Sequence, residues 1–102
     1  MDVPARFRDY ACDEYFRKGW SVSGHFDEPS QCLVIVPLEN AYEDAEHDFF
    51  AIGRSGCGGI DFGYRKGEEG LWAYYPIGQE FKFMSSTVAE LIEGWCSGQL
   101  WV

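Results

Sequence analysis

The run Arg54-Ser55-Gly56-Cys57-Gly58-Gly59 sets a guanidinium, a hydroxyl and a thiol among three glycines. It is the first place to look for chemistry. Glycine-rich loops cradle phosphates where they lead from a strand into a helix, as in Gly-x-Gly-x-x-Gly, or where Gly-Lys-Ser/Thr follows, as in a Walker loop. Here Ile60 opens another strand-like run and no Gly-Lys-Ser/Thr is present, so both readings fail. A nucleophile elbow needs Gly-x-Ser-x-Gly, and Gly53-Arg54-Ser55-Gly56 misses that spacing. The plain alternative is a tight glycine turn between strands. Cys57 remains of chemical interest, because the nearby Arg54 would lower its pKa. A Cys-His hydrolase or transferase would then need His25 or His47 as its base. His47 stands among Glu43, Asp44, Glu46 and Asp48, whose charge favours the imidazolium and makes it a poor neutral base.

The same carboxylates and His47 are candidate cation ligands. An EF-hand loop would require its glycine and terminal glutamate at set offsets, which Phe49-Phe50 interrupts. The His-x-Glu and Pro-Cys-x-x-Cys of a zinc deaminase are absent. Cys12, Cys32, Cys57 and Cys96 stand far apart without a Cys-x-x-Cys pair, so no zinc site is expected. Neither a metal nor a cofactor is expected, and the thiols are expected reduced and mostly buried.

With 17 Asp and Glu against 8 Lys and Arg, the 102-residue chain has a formal net charge of −9. Nucleic acid and anionic membrane both repel such a chain, and no basic stripe offsets this, so neither is an expected partner. Residues 19–53 hold seven acids, Asp27, Glu28, Glu39, Glu43, Asp44, Glu46 and Asp48, and no Lys or Arg. A solvated face that confers solubility is one reading of this segment. The sharper one makes these seven residues a docking surface for a basic protein.

A single domain over residues 1–102 must position these groups. At 46% hydrophobic residues the chain carries ample core material. The amino terminus is charged and lacks an apolar signal-like run, and no segment approaches a membrane span, so the cytoplasm is the expected compartment. Pro4 and the spacing of Phe7, Tyr10, Ala11 and Tyr15 predict a helix over residues 4–18, ended by Gly19. Alternation from Trp20 to Phe26 predicts a strand. Cys32-Leu33-Val34-Ile35-Val36 reads as a central strand stopped by Pro37. Residues 38–48 fit either a helical turn with its acids in water or a loop.

Phe49-Phe50-Ala51-Ile52 predicts an inner strand broken by Gly53. Ile60, Phe62 and Tyr64 share one strand face opposite Asp61, Gly63 and Arg65. Residues 66–70 form a hairpin loop, and strands follow over 71–75 and 80–84. Thr87 with Glu90 makes a capping box for a terminal amphipathic helix carrying Val88, Leu91, Ile92 and Trp95, with Gly98 as its terminator. The expected fold is α+β: a largely antiparallel sheet of about five or six strands with an N-terminal and a C-terminal helix packed against it. Trp72, Tyr74, Tyr75, Phe81 and Phe83 fall on two adjacent strands, most of them expected beneath the helices. Their alternation puts rings on both faces, and exposed ones would suit a protein interface.

From about Phe49 onward the chain resembles the SMI1/KNR4 family, also called the SUKH superfamily. The resemblance is carried by Phe50-Ala51-Ile52-Gly53, by residues 56–65 from Gly56-Cys57-Gly58-Gly59 to Tyr64-Arg65, by Gly70-Leu71-Trp72-Ala73-Tyr74-Tyr75-Pro76, and by Ser86-Thr87-Val88-Ala89-Glu90-Leu91. It covers roughly half the chain, and the family's Leu-Pro-x-x-Tyr-like N-terminal pattern is not seen in residues 1–31. The resemblance implies an α+β domain without catalytic residues. Bacterial members of that family are immunity proteins that neutralise polymorphic toxins, many of them nucleases. The expected function is therefore a non-enzymatic, immunity-type protein that binds a basic, nuclease-like toxin. The alternative is a small cytosolic enzyme or ligand binder using Cys57 and a histidine.

Overall fold

In the computed structural model, which describes residues 3–29, 31–56 and 58–101, Pro4 leads into a 3-10 helix, Ala5–Tyr10. The single helix expected over residues 4–18 does not form. Ala11 adopts a left-handed φ of 53°, and the chain restarts as α1, Asp13–Arg17. The reason is geometric: one continuous helix at 100° per residue would spread Phe7, Tyr10, Tyr15 and Phe16 around most of its circumference. The break lets all four be buried.

Trp20–Ser23 is a helical turn, α2, where alternation predicted a strand, and only β1, His25–Asp27, is extended. Gly19 and Gly24 bracket that turn with φ of 86° and 61°. A Cβ at Gly24 would also collide with the carbonyl oxygen of Ile35. Local backbone chemistry thus overrides an apolar alternation of period two.

The strands that follow are β2 (Cys32–Ile35), β3 (Tyr42–Asp44), β4 (Phe49–Arg54), β5 (Asp61–Arg65), β6 (Leu71–Tyr75) and β7 (Glu80–Ser85). They form one antiparallel sheet in the order β1-β2-β4-β5-β6-β7, with β3 beside the first half of β4. The α+β class stands as expected, with seven strands in place of five or six. The additional strand is β3, drawn from the acidic segment expected to be a helical turn or loop; Leu38–Asn40 is a short 3-10 turn before it. Gly53 does not break β4. The register shifts there, and a Cβ would strike the carbonyl oxygen of Val34, so the glycine permits β2 to lie against the bulged strand.

The helical segments all pack on one face of the sheet. Phe7, Tyr10, Tyr15, Phe16, Val88 and Leu91 join Phe50, Ile52, Phe62, Tyr64, Leu71, Ala73 and Met84 in one core. Phe50 is its centre: Phe7 stacks on it at 4.2 Å between centroids, and Tyr10, Tyr15 and Phe16 lie at 5.8, 5.9 and 6.3 Å.

The last helix, α3 (Val88–Cys96), is capped as expected, with Thr87 Oγ1 accepting from the Glu90 amide at 3.0 Å. Gly98 follows in the left-handed region at φ 82°. A second cap arrives from far away in the chain. The Glu14 carboxylate accepts the Val88 amide at 2.6 Å and the Ala89 amide at 3.2 Å. Three of the four amides that a helix leaves unpaired at its start are thereby satisfied, and the anion sits at the positive end of the helix dipole. Among the described residues no helix is long and apolar enough to cross a membrane.

Glu14→Ala should cost about 1–3 kcal/mol by removing two charge-assisted hydrogen bonds. Urea denaturation will show it as a lower midpoint at unchanged slope.

Candidate functional site

The acidic segment is a β-hairpin, β3 to β4, closed by residues 45–48. Asp44 shapes it: the His47 amide donates to the Asp44 carbonyl at 3.2 Å and to Oδ1 at 3.3 Å, and the His47 Nδ1 lies 2.8 Å from Oδ2. Asp48 closes the loop in the left-handed region at φ 52°, a conformation that aspartate tolerates better than most residues. Its carboxylate lies 3.8 Å from Lys66 Nζ.

Pairing in β3 alternates the direction of the acids. Glu43 lies opposite Phe50, on the helix-covered face, where it accepts a 2.7 Å hydrogen bond from the Tyr10 hydroxyl. Burial and this carboxylate both push the Tyr10 pKa up. Asp44 lies opposite Phe49, on the other face. Glu46, at the hairpin tip, and Glu39, in the preceding turn, are exposed.

Asp27 and Glu28 lie elsewhere. Asp27 pairs with Cys32, whose thiol donates to the Arg54 carbonyl at the C-terminal end of β4, whereas Glu43 and Asp44 pair at its N-terminal end. A strand of that length separates the two groups by roughly 17 Å. Asp27 instead approaches Cys96 at the end of α3, where burial first and then the carboxylate raise the thiol pKa. The seven acids therefore make two groups, and Glu39, Glu43, Asp44, Glu46 and Asp48 belong to one of them.

The hairpin borders a sheet face that, among the described residues, carries no helix. Register places Tyr42, Phe49, Ala51, Asp61, Gly63, Arg65, Trp72, Tyr74, Phe81 and Phe83 on it. Most of these rings were expected beneath the helices; Trp72, Tyr74, Phe81 and Phe83 are on the opposite side, because Leu71 and Ala73 fill the core positions of β6. The face closes over itself. Phe49 is 0% exposed beneath Tyr74 and Phe81, at centroid distances of 5.7 and 5.5 Å. Arg65 lies over both Trp72, at 4.7 Å, and Phe81, at 4.2 Å, so these rings already hold a guanidinium. Tyr42 remains 47% exposed and donates to Asp61 at 2.6 Å; Phe83 remains 50% exposed. Tyr42 had no motif to mark it, and a second face was signalled by the period-two alternation of residues 60–65 and of the rings in residues 72–83.

His47 joins hairpin and face, its ring 5.2 Å from that of Tyr74. The hydrogen bond to Asp44 is the main reason its pKa is raised above the usual 6.5. Ligand atoms of Asp44, Glu46 and His47 come within 4.8 Å of one another. Asp44 and His47 already satisfy each other, however, so a cation would have to compete with the imidazolium for the same carboxylate.

Cys57 lies outside the described residues. His25, one of its two proposed partners, has Nε2 4.0 Å from the Sγ of Cys96. No family model, no curated protein and no solved structure matches the chain.

Because the folded-state pKa of His47 is raised, its pairing with Asp44 adds stability that is complete below about pH 6.5 and is lost as pH rises through the elevated value. Amide exchange in residues 42–50 is expected to accelerate between pH 6 and pH 8.5 beyond its intrinsic rise. His47→Gln should abolish that excess.

Proposed function

We propose that this chain is a non-enzymatic, protein-binding domain of SMI1/KNR4 type, an immunity-like protein that neutralises a basic, nuclease-like toxin in the cytoplasm. The observation that carries the reading is the aromatic sheet face left without a helix and bordered by the carboxylates of the β3–β4 hairpin. A nuclease must be cationic to hold phosphates, and an anionic face on a chain of net charge −9 speeds its capture by steering. Rings supply the desolvated contacts that hold such complexes, while exposed carboxylates at the rim govern the association rate. The resemblance of residues 49–91 to the SMI1/KNR4 family supports the choice of an immunity protein over other binding modules. The alternative, chemistry at Cys57 with a histidine, falls on a cysteine outside the described residues, and His25 lies instead beside the Cys96 thiol, whose raised pKa opposes thiolate formation.

Glu39 and Glu46 are the acids to test, since Glu43, Asp44 and Asp48 also hold Tyr10, His47 and Lys66. A partner isolated from the source cell should be cationic and released by salt. The double variant Glu39→Lys, Glu46→Lys should associate with it at least about tenfold more slowly while unfolding as the parent does. A partner that is acidic, or that binds this variant at the parental rate, would overturn the reading.

A further inference from the structure

The two edges of the sheet are unlike. β1 has three residues, a register shift between His25 and Phe26, and Pro29 beyond it, all of which discourage pairing. β7 has six residues and, among the described residues, pairs only with β6. Among the described residues no backbone hydrogen bond from outside the sheet reaches it. Its one cation, Lys82, would ordinarily deter an incoming strand, but Nζ donates to the Trp101 carbonyl at 2.9 Å and lies 5.9 Å from that ring.

Beside this edge runs a cleft of about 540 Å³ between β7 and α3. Met84, Gly94 and Leu100 contribute its apolar part, Glu90 and Glu93 its acidic part, and Phe83 stands at its rim. On the opposite face of β7, Phe83 pairs with Trp72 on one side and has no strand on the other, which leaves it half exposed.

We propose that β7 and α3 together take an extended, basic segment of a partner protein as an eighth strand. The free backbone groups of β7 supply the ladder. Alternate side chains of the incoming segment fall on opposite faces: basic ones over Glu90 and Glu93, apolar ones against Phe83. Charge complementarity selects the occupant. Glu90 and Glu93 are the charged residues lining the cleft, the Lys82 of β7 is tethered to Trp101, and a second copy of this chain would bring a further −9. The site is separate from the β3–β4 hairpin and does not depend on it.

The test uses the 15N-labelled full chain and the peptide Lys-Val-Lys-Val-Lys-Val-Lys, followed by amide hydrogen exchange and chemical shifts. Exchange should slow at least about tenfold within residues 80–85, with shifts along the Glu90–Gly94 side of α3. Glu93→Lys should weaken binding about fivefold. Of two backbone-methylated peptides, one N-methylated at its lysines and one at its valines, at least one should fail to bind, since one set of amides must face β7. Overturning results are both methylated peptides binding as the parent does, peptide effects confined to residues 42–48, or no slowing in β7 at millimolar peptide. Effects confined to the hairpin would leave the proposed function standing while removing this site.

Discussion

Phe50 is the residue on which the arrangement depends. Four rings from the first sixteen residues converge on it, and among the described residues no other strand position meets more than one segment of the N-terminal region through ring contacts. Aromatic pairs of this kind contribute about 0.5–1.5 kcal/mol each beyond their buried area. The N-terminal segment must break at Ala11 to deliver them, so the interrupted helix is a consequence of the packing it serves. Glu14, carried by the second half of that segment, then reaches the start of α3 and ties the two ends of the chain together.

Seating Phe50 in the core also decides the chemistry of the hairpin. Side chains alternate along a strand, so Phe49 and Ala51 must face the other way. Through the β3 register this turns Glu43 toward Tyr10 and Asp44 toward His47, whose ring in turn meets Tyr74. A segment that is uniformly acidic in sequence thereby divides into carboxylates occupied by structure and carboxylates presented to solvent. Glu39, Glu43, Glu46 and Asp48 are all exposed, but Tyr10 engages Glu43 and Lys66 lies beside Asp48, so Glu39 and Glu46 are the exposed acids outside those contacts.

The features visible in the sequence are those whose cause is local. Thr87 and Glu90 cap a helix through atoms three residues apart, Gly98 ends it by its own φ, and the alternation of residues 60–65 needs only its neighbours. The failures share the opposite character. Trp20 to Phe26 alternates like a strand, yet Gly19 and Gly24 fold its first half into a turn, with Gly24 against the Ile35 carbonyl, a contact from eleven residues further on. The acids of residues 42–44 became a strand because β4 offered them an edge. The aromatic positions of β6 and β7 were evident, but not which of them would lie under the helices, because period two fixes that two sets exist and is silent on which one is buried.

By itself, then, the sequence determined the α+β class, the order of most strands, the capped terminal helix and an anionic stretch free of Lys and Arg. Each follows from propensity, periodicity or charge, which act within a few residues. The tertiary structure alone decided which sheet face stays open, that Asp27 and Glu28 part company with the hairpin acids, that Glu14 caps a helix 74 residues away, and that β7 keeps an unpaired edge beside a cleft. These depend on which surfaces meet, and that is settled by the packing of the whole chain around one phenylalanine.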